Sequence, residues 1–234
     1  MTLSESTVQK PGASQTPYIQ LRVERAIDAL INSLPAPAQL SADQRRGIIA
    51  RYTAVLEGNF IYWMTGAYLC VRTDAARRII KDNLLEEVRD AHPAMLRQFA
   101  MAANAVPRDT DAMAVYRELT NVRLFIGRLG GPPILVMMAF FEGFIQKFMD
   151  FLAKLAADQG SAEMQYTEVH GVCDIEHTAG LFRALDAELA ANPQVEGTDL
   201  FEGMAVLTEL IQTIVPPAQK RQSPVLAVAA SISA

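Results

Sequence analysis

The chain has little with which to staple, charge or anchor itself. Its 234 residues include two cysteines, three histidines and one tryptophan. Cys70 and Cys173 make no disulfide framework, so a small stapled scaffold is excluded and a reducing cytoplasm is the expected setting. Basic clusters are missing, and the formal net charge of −5 argues against a nucleic-acid partner. No apolar run is long enough to cross a bilayer; the strongest, residues 132–141, is followed at once by Glu142. Residues 1–16 are polar and rich in Ser and Thr. They lack the apolar centre of a signal peptide and read as a flexible tail. Strand signals are nearly absent, with no Asn-Gly or Asp-Gly turn.

What is present is helical periodicity. Residues 18–33 place Ile19, Val23, Ile27 and Leu30 three or four apart. Ser41 reads as the cap of a long helix over 42–72, and Asp74 opens another over 74–90. The helix cannot run cleanly through His92, because a residue before proline is pushed away from the α region. Pro93 then suits the first turn of a helix over 93–105. Further helices are expected over 109–128, 133–158, 162–191 and 198–214, each closed by Gly, Pro or Asn-Pro. The expectation is one all-α domain over 17–217, a compact bundle of seven to eight helices, with a loose tail at 218–234.

The segment 163–182 carries two of the three histidines. At ~100° per residue, Asp174 lies about 40° from His170 and His177 about 20° to the other side. The three share one stripe, as a metal site requires, or they decorate a surface helix. Glu142 sits among Phe140, Phe141, Phe144 and Phe148; it is either a buried carboxylate in need of a cation or turns to solvent beside Gln146 and Lys147. Glu86 and Glu87 precede His92, which a helix junction can turn back toward a carboxylate; otherwise they mark an exposed helix end. Glu57 in the long helix is a ligand, an acceptor for a histidine N–H, or solvated. Cys173, about 100° from Asp174, is assigned to packing. Three histidines and about four carboxylates from separate helices suit two bridged iron ions better than a structural zinc.

The order Asn83-Leu84-Leu85-Glu86-Glu87, His92-Pro93, Glu142, His170-x3-Asp174-x2-His177 resembles the haem-oxygenase-like di-iron oxidases and oxygenases, or iron-containing redox enzymes. Pyrroloquinoline-quinone synthase and the thiaminase-like proteins share that fold. The resemblance covers roughly residues 40–190. It implies a haem-oxygenase-like bundle with Glu87 (Glu86 as fallback), His92, Glu142, His170, Asp174 and His177 as metal ligands and Glu57 as an additional one. Many members place Gly and a longer run after the N-L-x-x-E segment, whereas Val88–Ala91 is short here, which leaves both glutamates in play. The implied cofactors are two Fe(II) ions with O2 as co-substrate. The implied reaction passes through a peroxo intermediate to oxidise a small amino-acid- or fatty-acid-like substrate by N-oxygenation, oxidative C–C cleavage or rearrangement, in natural-product pathways.

Tyr52, Trp63, Tyr68, Arg123, Arg128 and Lys147 are candidates for a substrate pocket. A cofactorless enzyme on the same fold and a non-catalytic helical interaction protein are the rival readings. The expected partner is a small-molecule substrate, with no nucleic acid and no membrane; a homodimer is the commonest soluble assembly and the oligomeric state stays open.

Overall fold

The computed structural model describes residues 14–192 and 199–218. Among the described residues eight α-helices follow one another: α1 (Thr16–Asn32), α2 (Ala42–Cys70), α3 (Asp74–Arg89), α4 (His92–Ala102), α5 (Asp109–Gly127), α6 (Gly131–Ala157), α7 (Gln165–Ala191) and α8 (Glu202–Ile214). A single 3-10 turn, Pro37–Gln39, precedes α2, and no strand occurs among the described residues. The expected helices are all present, with ends displaced by no more than about one turn. The tails expected at 1–16 and 218–234 fall almost wholly outside the described residues, although α1 already begins at Thr16.

The helix ends are set by local chemistry. Ser41 Oγ accepts the Gln44 N–H while the Gln44 side chain accepts the Ser41 N–H, a capping box that starts α2. Thr73 Oγ1 accepts the Ala76 N–H at the start of α3. The turn before α3 is tied to the far end of α7, where buried Glu188 accepts the Arg72 and Thr73 N–H groups and the Thr73 hydroxyl. Pro132 and Pro133 occupy the first turn of α6, where their missing N–H groups have no intrahelical role.

α6 is the axis of the bundle. It is buried around most of its circumference, and α7, α2, α1 and α8 pack along it. This explains why its sequence is apolar nearly all round rather than striped. α3 and α4 lie against the α7 flank, so both sides of their junction face the His170–His177 stripe.

That junction differs from expectation by one residue. The break falls at Ala91 (φ 56°, ψ 39°), and His92 is already the first residue of α4. One left-handed residue reverses the chain, and the Ala94 N–H then bonds to the Ala91 carbonyl at 2.8 Å. His92 and Pro93 therefore enter α4 together as its first turn.

Candidate metal centre

Six side chains from four helices converge in the interior. His170, Asp174 and His177 project from α7, Glu142 from α6, Glu87 from α3 and His92 from α4, and all are buried. Glu142 and Asp174 are each only 1% exposed, which excludes the solvated alternative for Glu142. Placing His92 right after a left-handed turn lets its ring fold back over the end of α3, where Nδ1 lies 2.8 Å from Glu87 Oε1.

The cluster has two halves. In the first, donor atoms of Glu87, His92 and His170 lie within 4.8 Å of one another. His170 Nδ1 is 2.9 Å from the Tyr166 carbonyl oxygen, one turn back on α7. A carbonyl only accepts, so Nδ1 carries the proton and Nε2 presents its lone pair. His92 Nδ1 likewise donates to the Glu87 carboxylate, leaving its Nε2 free. The two imidazoles meet edge to face, 4.5 Å between centroids.

The second half is centred on His177. Its Nε2 lies 3.4 Å from Glu86 Oε2, and its Nδ1 lies 3.6 Å from both Glu142 Oε2 and Asp174 Oδ1. The Nδ1 contacts are too long for good hydrogen bonds. Glu142 Oε1, Asp174 Oδ2 and His177 Nδ1 have no hydrogen-bond partner among the described residues. The fallback glutamate thus belongs to the cluster as well: Glu87 faces one half and Glu86, about a third exposed, reaches the other.

Electrostatics reflects this crowding. Burial, reinforced by Asp174, pushes the Glu142 carboxyl up to about 7. Burial raises Asp174 as well. His177 resists burial, and the carboxylates of Asp174 and Glu142 hold its imidazolium well above the ordinary histidine range. His170 is driven the other way by burial, to about 4, and stays neutral at pH 7. Carboxylates forced into one dry site, with lone pairs facing nothing, call for positive charge. Mixed oxygen and imidazole donors are what ferrous or manganous ions bind, so these residues fit the iron that the sequence pattern implies.

Other candidate residues are placed elsewhere. Glu57 is not brought to the cluster; its carboxylate takes Arg97 of α4 in an ion pair at the surface. Arg97 and Glu57 have met across α2 and α4, a non-local contact that periodicity cannot foresee. Trp63 packs edge-on against Phe141, Arg123 bonds to Asn59, Arg128 pairs with Glu202, and Lys147 pairs with Asp28. Tyr52 is buried, with its hydroxyl 2.9 Å from that of Tyr166. Sequence reasoning missed Tyr166, whose ring lies 4.2 Å from that of His170; its position one turn before His170 was the available signal. Cys173 was assigned to packing, yet its Sγ approaches Asp174 Oδ1 to 3.3 Å.

Beside the first half lies a cavity of about 20 Å³, enough for a water-sized molecule. It is lined by Glu87, His92, Glu142 and His170 with Leu56, Phe60 and Tyr166. On the opposite flank a groove of about 340 Å³ runs between α1, α6 and α7 and ends at Asp174.

The sequence pattern of the iron-containing redox enzymes matches residues 49–211, which includes every residue of the cluster. The chain belongs to this family. The eight-helix architecture is accordingly a haem-oxygenase-like bundle, and membership assigns an iron-dependent oxidoreductase function. A comparison with curated proteins finds no match. Among the described residues no helix is long and apolar enough to cross a membrane.

Proposed function

We propose that the protein is a non-haem di-iron oxidoreductase that uses O2 to oxidise a small amino-acid- or fatty-acid-like substrate. One observation carries this reading: the buried donors fall into two adjoining halves, each with histidine and carboxylate, rather than into one closed set. Glu87, His92 and His170 would hold one ion, and Glu142, Asp174, His177 and Glu86 the other, with carboxylates near the boundary free to bridge. Glu57 is left out of this set because Arg97 occupies its carboxylate. Two ferrous ions would supply part of the electrons that O2 reduction requires, and the substrate, as it is oxidised, the rest.

The chain's own residues prepare that chemistry. The Tyr166 carbonyl and the Glu87 carboxylate orient the rings of His170 and His92, and burial keeps His170 neutral, so that ring need not lose a proton before binding. Phe60, Leu56 and Ile145 give the small cavity an apolar wall. The cavity suits a diatomic co-substrate, whereas the groove at Asp174 is within the range of small-molecule sites. Its buried floor is apolar (Val23, Ile27, Phe182), and its rim carries Lys147, Gln146 and Glu24. A substrate with an apolar body and a charged head fits that lining.

The test is metal content after anaerobic reconstitution with ferrous iron. The expected result is close to two irons per chain, with loss of iron and of O2 consumption in His170→Ala and Glu142→Ala while helical content is retained. Iron at wild-type occupancy in either variant overturns the ligand assignment. No iron above background in the parent protein overturns the di-iron reading.

A further inference from the structure

The second half of the centre contains a donor that an iron–carboxylate site does not require. Cys173 Sγ, a carboxylate oxygen of Asp174 and a ring nitrogen of His177 lie within 4.8 Å of one another. Cys173 and His177 are four residues apart on α7, so their side chains leave the helix about 40° apart and close like a clamp. Asp174, about 60° beyond His177 around the helix, holds its Oδ1 3.3 Å from the thiol and 3.6 Å from His177 Nδ1. Asp174 Oδ2 and His177 Nδ1 are both unpartnered, in residues that are 1% and 5% exposed. Cys173 itself is half-buried and free, so an ion reaches it without opening the core.

We propose that Cys173, Asp174 and His177 form a thiolate-containing site for a zinc-class divalent ion, sharing two donors with the iron centre so that the two metals exclude each other there. The proposal rests on the di-iron reading for its consequence, not for its geometry. A thiolate, an imidazole and a carboxylate make a set that zinc prefers to ferrous iron, both by ligand softness and by the general affinity order of divalent ions. Binding displaces the thiol proton and the second ring proton of His177, and both are released as the sulfur–metal and nitrogen–metal bonds form. Among the described residues the group formed by Glu87, His92 and His170 contains no sulfur, so a sulfur-to-metal signal reports on the second half alone. Zinc therefore withdraws Asp174 and His177 from redox use and silences the enzyme while the fold persists.

Cobalt(II) added to the metal-free protein tests this directly. The expected result is a near-ultraviolet sulfur-to-cobalt charge-transfer band that persists in Cys70→Ser and in His170→Ala and is lost in Cys173→Ser. Zinc affinity, read by competition with a chelating indicator, should fall in Cys173→Ser by at least the roughly 10- to 100-fold that loss of an outer-shell partner costs. Ferrous loading of that variant should equal that of the parent, and zinc-loaded parent protein should take up less iron. Absence of the band in the parent, or unchanged zinc affinity in Cys173→Ser, overturns the proposal. Because cobalt reports on the sulfur alone, failure of the parent to take up iron would fall on the di-iron reading and leave this site standing.

Discussion

Glu142 shows most clearly what the centre asks of a single residue. Its carboxylate is almost wholly buried on an otherwise apolar helix, and Oε1 has no hydrogen-bond partner. In the folded metal-free chain its pKa is about 7, against an ordinary value of 4.5. A carboxyl that binds its proton more tightly when folded contributes stability below pH 4.5 and loses it as pH rises through 7. Glu142→Gln should thus stabilise the metal-free protein by about 1–3 kcal/mol at pH 8 and by much less at pH 5. Denaturant midpoints at the two pH values check this, and equal effects at both would show that the carboxylate is compensated in some other way. The same variant should load less iron. Burial of Glu142 stayed open in the sequence, because its four neighbouring phenylalanines lie on the far side of the helix from it; α7, packed on Glu142's own face, buries it. The partner of Glu57 was not legible, since a side chain's contact across two helices leaves no mark in its own periodicity; Cys173 meets the next residue of its own helix, which the helical angle alone points away from it.

At the scale of elements, the α3–α4 junction controls the first half of the centre. Ala91 is held at positive φ, where a Cβ is strained, and the very next residue is His92. Ala91→Gly should keep full iron loading and raise stability by up to about 1 kcal/mol. Ala91→Val adds a branched Cβ at the same dihedral, which should cost about 1–3 kcal/mol and displace His92 from Glu87. Iron stoichiometry and thermal midpoints of the two variants separate the effects; normal loading in the valine variant would mean that the turn does not position His92. Pro93 announced a helix start in the sequence, and that start is observed. The left-handed residue was invisible, because alanine carries no preference for positive φ; packing of α4 against α7 and α2 imposes it.

At the scale of the molecule, the centre lies where α3, α4, α6 and α7 meet, so metal and fold are linked. Any ion that binds only the folded chain stabilises it, by about 2.7 kcal/mol when its free concentration is 100 times Kd. Anaerobic ferrous iron should raise the unfolding temperature, and a chelator should return it to the metal-free value. An unchanged midpoint at saturating iron would mean that the donors do not act as a site. The groove between α1, α6 and α7 also belongs to this scale, because Val23, Ile27, Gln146, Asp174 and Phe182 come together only when three helices are docked.

The sequence by itself determined the helices, their order and the shared stripe of His170, Asp174 and His177. Those properties depend on local signals: apolar spacing at the helical repeat, capping residues and prolines within a few positions. Only the tertiary structure decided the rest: Glu86 and Glu87 were divided between two halves, and Glu57 was given to Arg97. Such pairings are settled by which long side chains reach one another once the helices pack, and that choice depends on crossing geometry among residues far apart in the chain.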